Sequence, residues 1–497
     1  MKVAIVTSEA VPFSKTGGLA DVAGTLFKEY TDMGIDVLLF VPLYRKTKEQ
    51  FANAIQYAGI EIDIPLGKAI RKCRVFTLKR ESVKRRIGET ETFKLADSPI
   101  HQFTHSVFFI GNDEFFDREE LYSTPHGDYP DNDQRFTFFC KSVLEVCKKL
   151  DISPDIMHCH DWQTGLIPLY LKTVYKDYSV FTKTKSVITI HNLGYQGIFP
   201  QQTMERTGLG WELFNMDGVE FYGNINFLKA GIVGADIITT VSRTYAKEIL
   251  TPEYGFGLDG ILRKRTANLV GILNGIDYKE WNPADDKFLP YGYNKFRLSG
   301  KLRCKAELMK KCSFRGDSDT PLLCFIGRIA SQKGIDILTD AVPQIIASGA
   351  NIVIIGRGEE HYLTLLASMR NRFPDALFLH SEFDEAFAHL AYAGADIFMM
   401  PSLYEPCGLG QMIAMRYGTI PVARKTGGLS DTIEDRLSGF LFDEYSAGAF
   451  RAGIYKALNG YADKKLWHRM VKNAMDKDFS WRKSAAMYLD LYSGRKI

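Results

Sequence analysis

Several side chains capable of chemistry stand just past apolar runs in this sequence. Arg328 follows "PLLCFIG" and Lys333 comes five residues later, in "FIGRIASQKGID". A fixed guanidinium and an ammonium so placed could together neutralise a diphosphate. Glu405 follows "DIFMMP" and leads into Cys407, Gly408 and Leu409. A carboxylate able to bind sugar hydroxyls thus sits beside a turn whose backbone amides could face phosphate. His158, His160, Asp161 and Trp162 occupy "MHCHDWQTG", while His191 and Asn192 directly follow "VITI". A His beside an Asn at a strand end fits contact with a sugar better than a buried structural role. Metal ligation by His158 and His160 would want a third well-spaced ligand, so a polar wall or acceptor contact is the preferred reading. Finally, Lys-Thr-Gly-Gly-Leu occurs twice, at 15–19 and 425–429.

The elements that must position these groups follow one grammar. "VAIVT" is a β-branched run typical of a strand buried on both faces. Behind the first glycine turn, Leu19, Val22, Ala23, Leu26, Phe27, Tyr30 and Met33 recur three and four apart, and Gly34 ends that helix. "IDVLLFVP" then makes residues 2–42 a strand-helix-strand unit. The pattern recurs up to "ADIITTVS" and begins afresh beyond residue 320 with "PLLCFIG", "NIVIIG", "ALFLH", "DIFMMP" and "TIPVAR". Alternating strands and helices predict parallel sheets with right-handed crossovers. The expectation is an α/β protein of two doubly wound Rossmann-like domains, 1–280 and 281–478, facing a central cleft, with a hinge region near 280–300. Both copies of the repeat then fall at the carboxyl end of a strand and the start of a helix, favourable to an anion. They follow non-equivalent strands, so they are not matching loops of a duplication.

Other readings are disfavoured by what is missing or balanced. Neither copy supplies Gly-x-Gly-x-x-Gly, and "GRGEE" at 356–360 lacks the third glycine, which disfavours a dehydrogenase. No Gly-x-x-x-x-Gly-Lys-Ser/Thr loop exists, which disfavours a P-loop ATPase. "DND" at 131–133 follows "TPHGDYP" and not an apolar strand, so it reads as a solvated loop and not as a metal-holding acid pair. With 62 basic against 59 acidic residues and a net charge of +3, neither nucleic acid nor a lipid surface is an expected partner. Eight scattered cysteines without a Cys-x-x-Cys pair, no run approaching a membrane span, and a strand beginning at once in "MKVAIVTSEA" predict a reduced, cytoplasmic protein.

Taken in order, "KTGGL", "HDWQTG", "TIHNLGYQG", "LNGID", "GRIASQKG", "EPCGLGQ" and "KTGGLSDT" resemble the bacterial glycogen synthases of the glycogen and starch synthase family, from residue 3 to about 490. The resemblance implies a GT-B glycosyltransferase that moves glucose from ADP-glucose to the non-reducing end of an α-1,4-glucan such as glycogen, with retained configuration and without a required metal or other cofactor. It assigns Arg328 and Lys333 to the diphosphate, Glu405 to the glucosyl ring, and His191 with Asn192 to the sugar. Lys15, with Gly17 and Gly18, goes to the donor region, and Asp161 and Trp162 go to acceptor-side or sugar-side contacts. Phe383 is placed against adenine, the turn Cys407, Gly408 and Leu409 at phosphate, and Gly427 and Gly428 where backbone approaches sugar or phosphate. The segment 479–497 resembles the family's C-terminal helix that crosses back to the first domain. Three departures stand out: Ile413 where many retaining relatives carry a second Glu, Gly410 where some have Thr, and Phe116 where relatives can have Tyr. The alternatives are a GT-B transferase using UDP-glucose, and a non-catalytic glucan-binding protein of the same fold.

Overall fold

The computed structural model describes residues 1–79, 107–124, 127–382 and 384–495. The chain forms two compact units: Met1–Thr240 with Ala246–Ile272 and Ala485–Ile497, and Val241–Tyr245 with Leu273–Ser484.

In the first unit nine strands build one sheet: β1 (Lys2–Val6), β2 (Asp36–Pro42), β3 (Ile55–Leu66), β4 (Ala69–Leu78), β5 (Val107–Gly111), β6 (Ile156–His160), β7 (Lys185–Ile190), β8 (Ile237–Thr240) and β9 (Leu269–Gly271). Their spatial order is β9-β8-β7-β6-β1-β2-β5-β4-β3. The β3–β4 and β4–β5 pairs are antiparallel and the others parallel. Val3, Ala4, Ile5 and Val6 are fully buried, as expected of a parallel strand covered on both faces. The chain order turns about between β1 and β6, since β2 lies on one side of β1 and β6 on the other. That switch point opens a crevice beyond the carboxyl ends of β1 and β6.

The second unit holds a six-stranded, all-parallel sheet of β10 (Leu322–Ile326), β11 (Asn351–Ile355), β12 (Leu377–His380), β13 (Ile397–Met400), β14 (Ile420–Arg424) and β15 (Phe440–Phe442). The order β12-β11-β10-β13-β14-β15 is the doubly wound one, with its switch point between β10 and β13. The segment predicted as a hinge region is built into this unit. Trp281 stacks on His389 at 4.1 Å, and the buried Tyr293 hydroxyl donates to the Tyr417 carbonyl at 2.8 Å.

The C-terminal helix Trp481–Tyr492 contributes its second half to the first unit. Tyr488 and Tyr492 are buried there, with the Tyr492 hydroxyl 2.7 Å from His158 Nδ1 and 3.1 Å from the Tyr30 hydroxyl.

One sequence expectation fails here. "DND" is no solvated loop: Asn132 opens the helix Asn132–Lys149, and Asn132 and Asp133 are each 2% exposed. Asp133 accepts from Thr203 and from Arg206, seventy or more residues away in sequence, so a tertiary partner buried what local composition presented as polar. Among the described residues no helix is long and apolar enough to cross a membrane.

Candidate active site

In each unit the singled-out side chains gather at the switch point. In the first, β1 runs out into Thr7, Ser8 and Glu9, and Glu9 was not anticipated from sequence. Its carboxylate accepts from the Thr16 amide, from Thr16 Oγ1 at 2.9 Å, from the Gly17 amide at 3.4 Å and from the Tyr122 hydroxyl at 2.9 Å. Burial raises its pKa while these four donors work the other way. Glu9 therefore fixes the glycine turn that starts the helix Gly18–Asp32. A lone carboxylate just past a buried strand, beside a turn full of unpaired amides, was the signal for it. Lys15 is exposed and pairs with Asp21 at 2.7 Å.

β6 ends at His160, and Asp161 takes up φ +55° with ψ −172°, a region almost confined to glycine. The bend brings the Asp161 carboxylate to the His191 amide, 2.7 Å away at the end of the neighbouring β7. Burial pushes this carboxyl up to about 7, against the pull of the His191 and Asn192 amides. It is thereby poised to hold or release a proton near neutrality. The His160 and His191 rings meet at 2.9 Å, Nδ1 to Nε2. Burial holds His191 down to about 3 and His160 well below its usual value, so both are neutral at pH 7 and one donates to the other. Behind them His158 is fixed by Thr189 at 2.6 Å and by Tyr492. Asn192 accepts from the Gly194 amide at 3.0 Å, which shapes the loop after β7. Trp162 is only 8% exposed, edge-on to Phe136 and Phe199, and anchors the Asp161 turn from below.

In the second unit β10 leads to the exposed Arg328, whose guanidinium reaches Gln332 at 2.9 Å. Lys333 ends a short 3-10 turn, and Gly334 after it needs φ +71° with the Pro401 carbonyl where a Cβ would be. From the end of β13, Glu405 meets Lys333 Nζ at 2.6 Å and the Ser402 hydroxyl at 3.0 Å. Glu405 is 5% exposed, so its ion pair with Lys333 is largely dry and aligned. Cys407, Gly408 and Leu409 carry the chain into the helix Gly410–Arg416, and burial pushes the Cys407 thiol up to about 12. Phe383 lies outside the described residues.

The two Lys-Thr-Gly-Gly-Leu copies prove physically unlike. A Cβ on Gly17 or Gly18 would meet nothing within 4 Å, whereas one on Gly427 would lie 1.9 Å from the Glu405 carbonyl oxygen and one on Gly428 2.0 Å from that of Cys407. The second pair is thus glycine because it packs on the turn that carries Glu405, and the Gly428 amide donates to the Glu405 carbonyl at 3.1 Å. The first pair leaves its backbone open. Gly428→Ala is accordingly expected to destabilise the second unit by ~1–3 kcal/mol through overpacking. Gly18→Ala, at a helical position, should be neutral or slightly stabilising. Urea midpoints of the two variants check this; equal behaviour would contradict the packing argument.

Two doubly wound units, each with its polar groups at a switch point, fit the GT-B fold, and two family models make the class a glycosyltransferase of that fold. Residues 2–264 match the family model of the starch synthase catalytic domain, and residues 310–477 match that of glycosyl transferases group 1. The glycogen synthase of Thermodesulfovibrio yellowstonii is 50% identical over 494 residues, covering 99% of this chain and 98% of that protein. That of Thermotoga maritima is 42% identical over 502 residues, covering 99% and 98%. Among solved structures, the catalytic domain of starch synthase IV from Arabidopsis thaliana, bound to ADP and acarbose, is 31% identical with a TM-score of 0.85 and covers 99% of each chain. This chain belongs to the glycogen and starch synthase family.

Proposed function

We propose that this protein is a retaining glucosyltransferase of glycogen synthesis, moving glucose from ADP-glucose to the non-reducing 4-hydroxyl of an α-1,4-glucan. The observation that carries the reading is the dry Lys333–Glu405 pair at the second unit's switch point, with Arg328 five residues before Lys333 on the same loop. Arg328 and Lys333 would neutralise the diphosphate as ADP leaves, a stabilisation aimed at charge that develops in the transition state. Glu405 would hold the glucosyl ring. His191, Asn192 and Asp161 would contact sugar hydroxyls, with neutral imidazoles serving as hydrogen-bonding groups and not as charges. The open turn at Gly17 and Gly18, with Lys15, would serve the donor. No nucleophile and acid at glycosidase spacing is invoked; in a front-face transfer the leaving phosphate itself takes the acceptor proton, and no metal is required. A cytoplasmic location is supported by eight cysteines that are all free and buried.

The test compares donors. Purified protein with glycogen is expected to release ADP from ADP-glucose faster than UDP from UDP-glucose. Equal or better turnover of UDP-glucose would overturn the donor assignment, and glycogen binding without release from either donor would overturn the enzymatic reading.

A further inference from the structure

The second unit carries another group of ligating side chains, none of them used by the transfer chemistry. Glu385 opens the helix Glu385–Gly394 and His389 follows one turn later, so both occupy one helix face. Glu280 joins them from the segment that precedes the helix Ser299–Lys311. One ligand atom from each of the three lies within 4.8 Å of the others. The carboxylates are exposed, while His389 is 1% exposed.

The His389 ring is held on several sides. Its Nδ1 lies 2.8 Å from Asp286 Oδ2, Trp281 stacks on it with 13° between the planes, and Phe288 packs at 4.8 Å. The Tyr417 hydroxyl donates to the same Asp286 oxygen. Asp286 engages Nδ1, which leaves Nε2 as the ring's remaining polar atom. That Nε2 is buried and has no hydrogen-bond partner among the described residues. A buried imidazole nitrogen without a partner carries a desolvation cost that a ligand would relieve. A carboxylate that sets the tautomer from behind also raises the basicity of the ligating nitrogen, the arrangement found around metal-bound histidines.

We propose that Glu280, Glu385 and His389 form a binding site for a divalent transition-metal cation, with Asp286 orienting the histidine. One imidazole nitrogen and two carboxylates suit Zn²⁺, with water completing the shell. Bound there, the ion ties the 280–289 segment to the helix Glu385–Gly394.

The test uses the full-length protein after dialysis against a chelator. Calorimetric titration with Zn²⁺ is expected to show one equivalent bound, and Co²⁺ to give visible absorption bands without thiolate charge transfer, since all eight cysteines are buried. The Glu280→Gln/Glu385→Gln double variant changes only exposed side chains, so its fold should be kept. In it, Zn²⁺ affinity is expected to fall by more than the ~10–100-fold typical of losing an outer-shell partner. The rise in thermal midpoint on adding Zn²⁺ should vanish with it. Absence of binding to the unaltered protein, or unchanged binding in the double variant, would overturn the proposal and would leave the transferase reading untouched.

Discussion

Replacing Lys333 or Glu405 by alanine is expected to lower turnover by at least ~100-fold each, a loss of about 2.7 kcal/mol of transition-state stabilisation. The ammonium and carboxylate meet at 2.6 Å with side chains 19% and 6% exposed. In so dry a place each charge depends on the other, and removing one leaves its partner uncompensated, a change that typically costs ~3–5 kcal/mol for a buried pair. A loss of activity could therefore arise from a loosened turn as well as from a lost contact with donor. Glu405→Gln separates these causes. It removes the charge but leaves an amide oxygen for Lys333 and Ser402, so its thermal midpoint should fall less than that of Glu405→Ala while its kcat falls nearly as far. Near-normal turnover in both alanine variants would show that the pair is not part of the transfer machinery.

Truncation before Trp481 is expected to destabilise the first unit by more than ~4 kcal/mol, against a total of about 5–15 kcal/mol for a typical domain. Two tyrosines, Tyr488 at 0% and Tyr492 at 3% exposure, leave its core together. Each large aromatic removed from a core costs ~3–5 kcal/mol when a cavity remains. His158 Nδ1 also loses its hydroxyl partner. Urea unfolding should show the loss as a lowered midpoint, with Tyr492→Phe, which deletes only the hydroxyl, costing ~1–3 kcal/mol. A truncated protein with the parent's midpoint would mean that the terminal helix merely rests on the unit.

The parallel strands were legible because their signal is local: buried runs such as Val3–Val6 need no partner to be recognised. Placement of Asp161, His191 and Arg328 at strand ends followed from each standing next to such a run, with Lys333 and Glu405 a short turn further on. What escaped depends on distant partners. Glu9 owes its position to Thr16 and Tyr122, and Asp133 owes its burial to Thr203 and Arg206. The identical glycines at 17–18 and 427–428 differ only in what lies opposite them, which no string of letters carries. The antiparallel β3–β4 hairpin alternates exposed and buried residues, a period of two that stands apart from the βα grammar around it.

Among the described residues that hairpin leaves β3, twelve residues long, as the outermost strand of the nine-stranded sheet. An open strand edge is a template on which a second molecule's strand can add. β3 counters this in two ways. Its register with β4 slips between Tyr57 and Ile60, where Gly59 turns to φ +74°, so the edge is broken in the middle. Glu61 and Asp63, paired with Lys72 and Arg74 across the hairpin, then place charge along the remainder. The consequence is colloidal: neutralising Glu61 and Asp63 would leave the fold in place yet turn a solvated margin into a seed for aggregation.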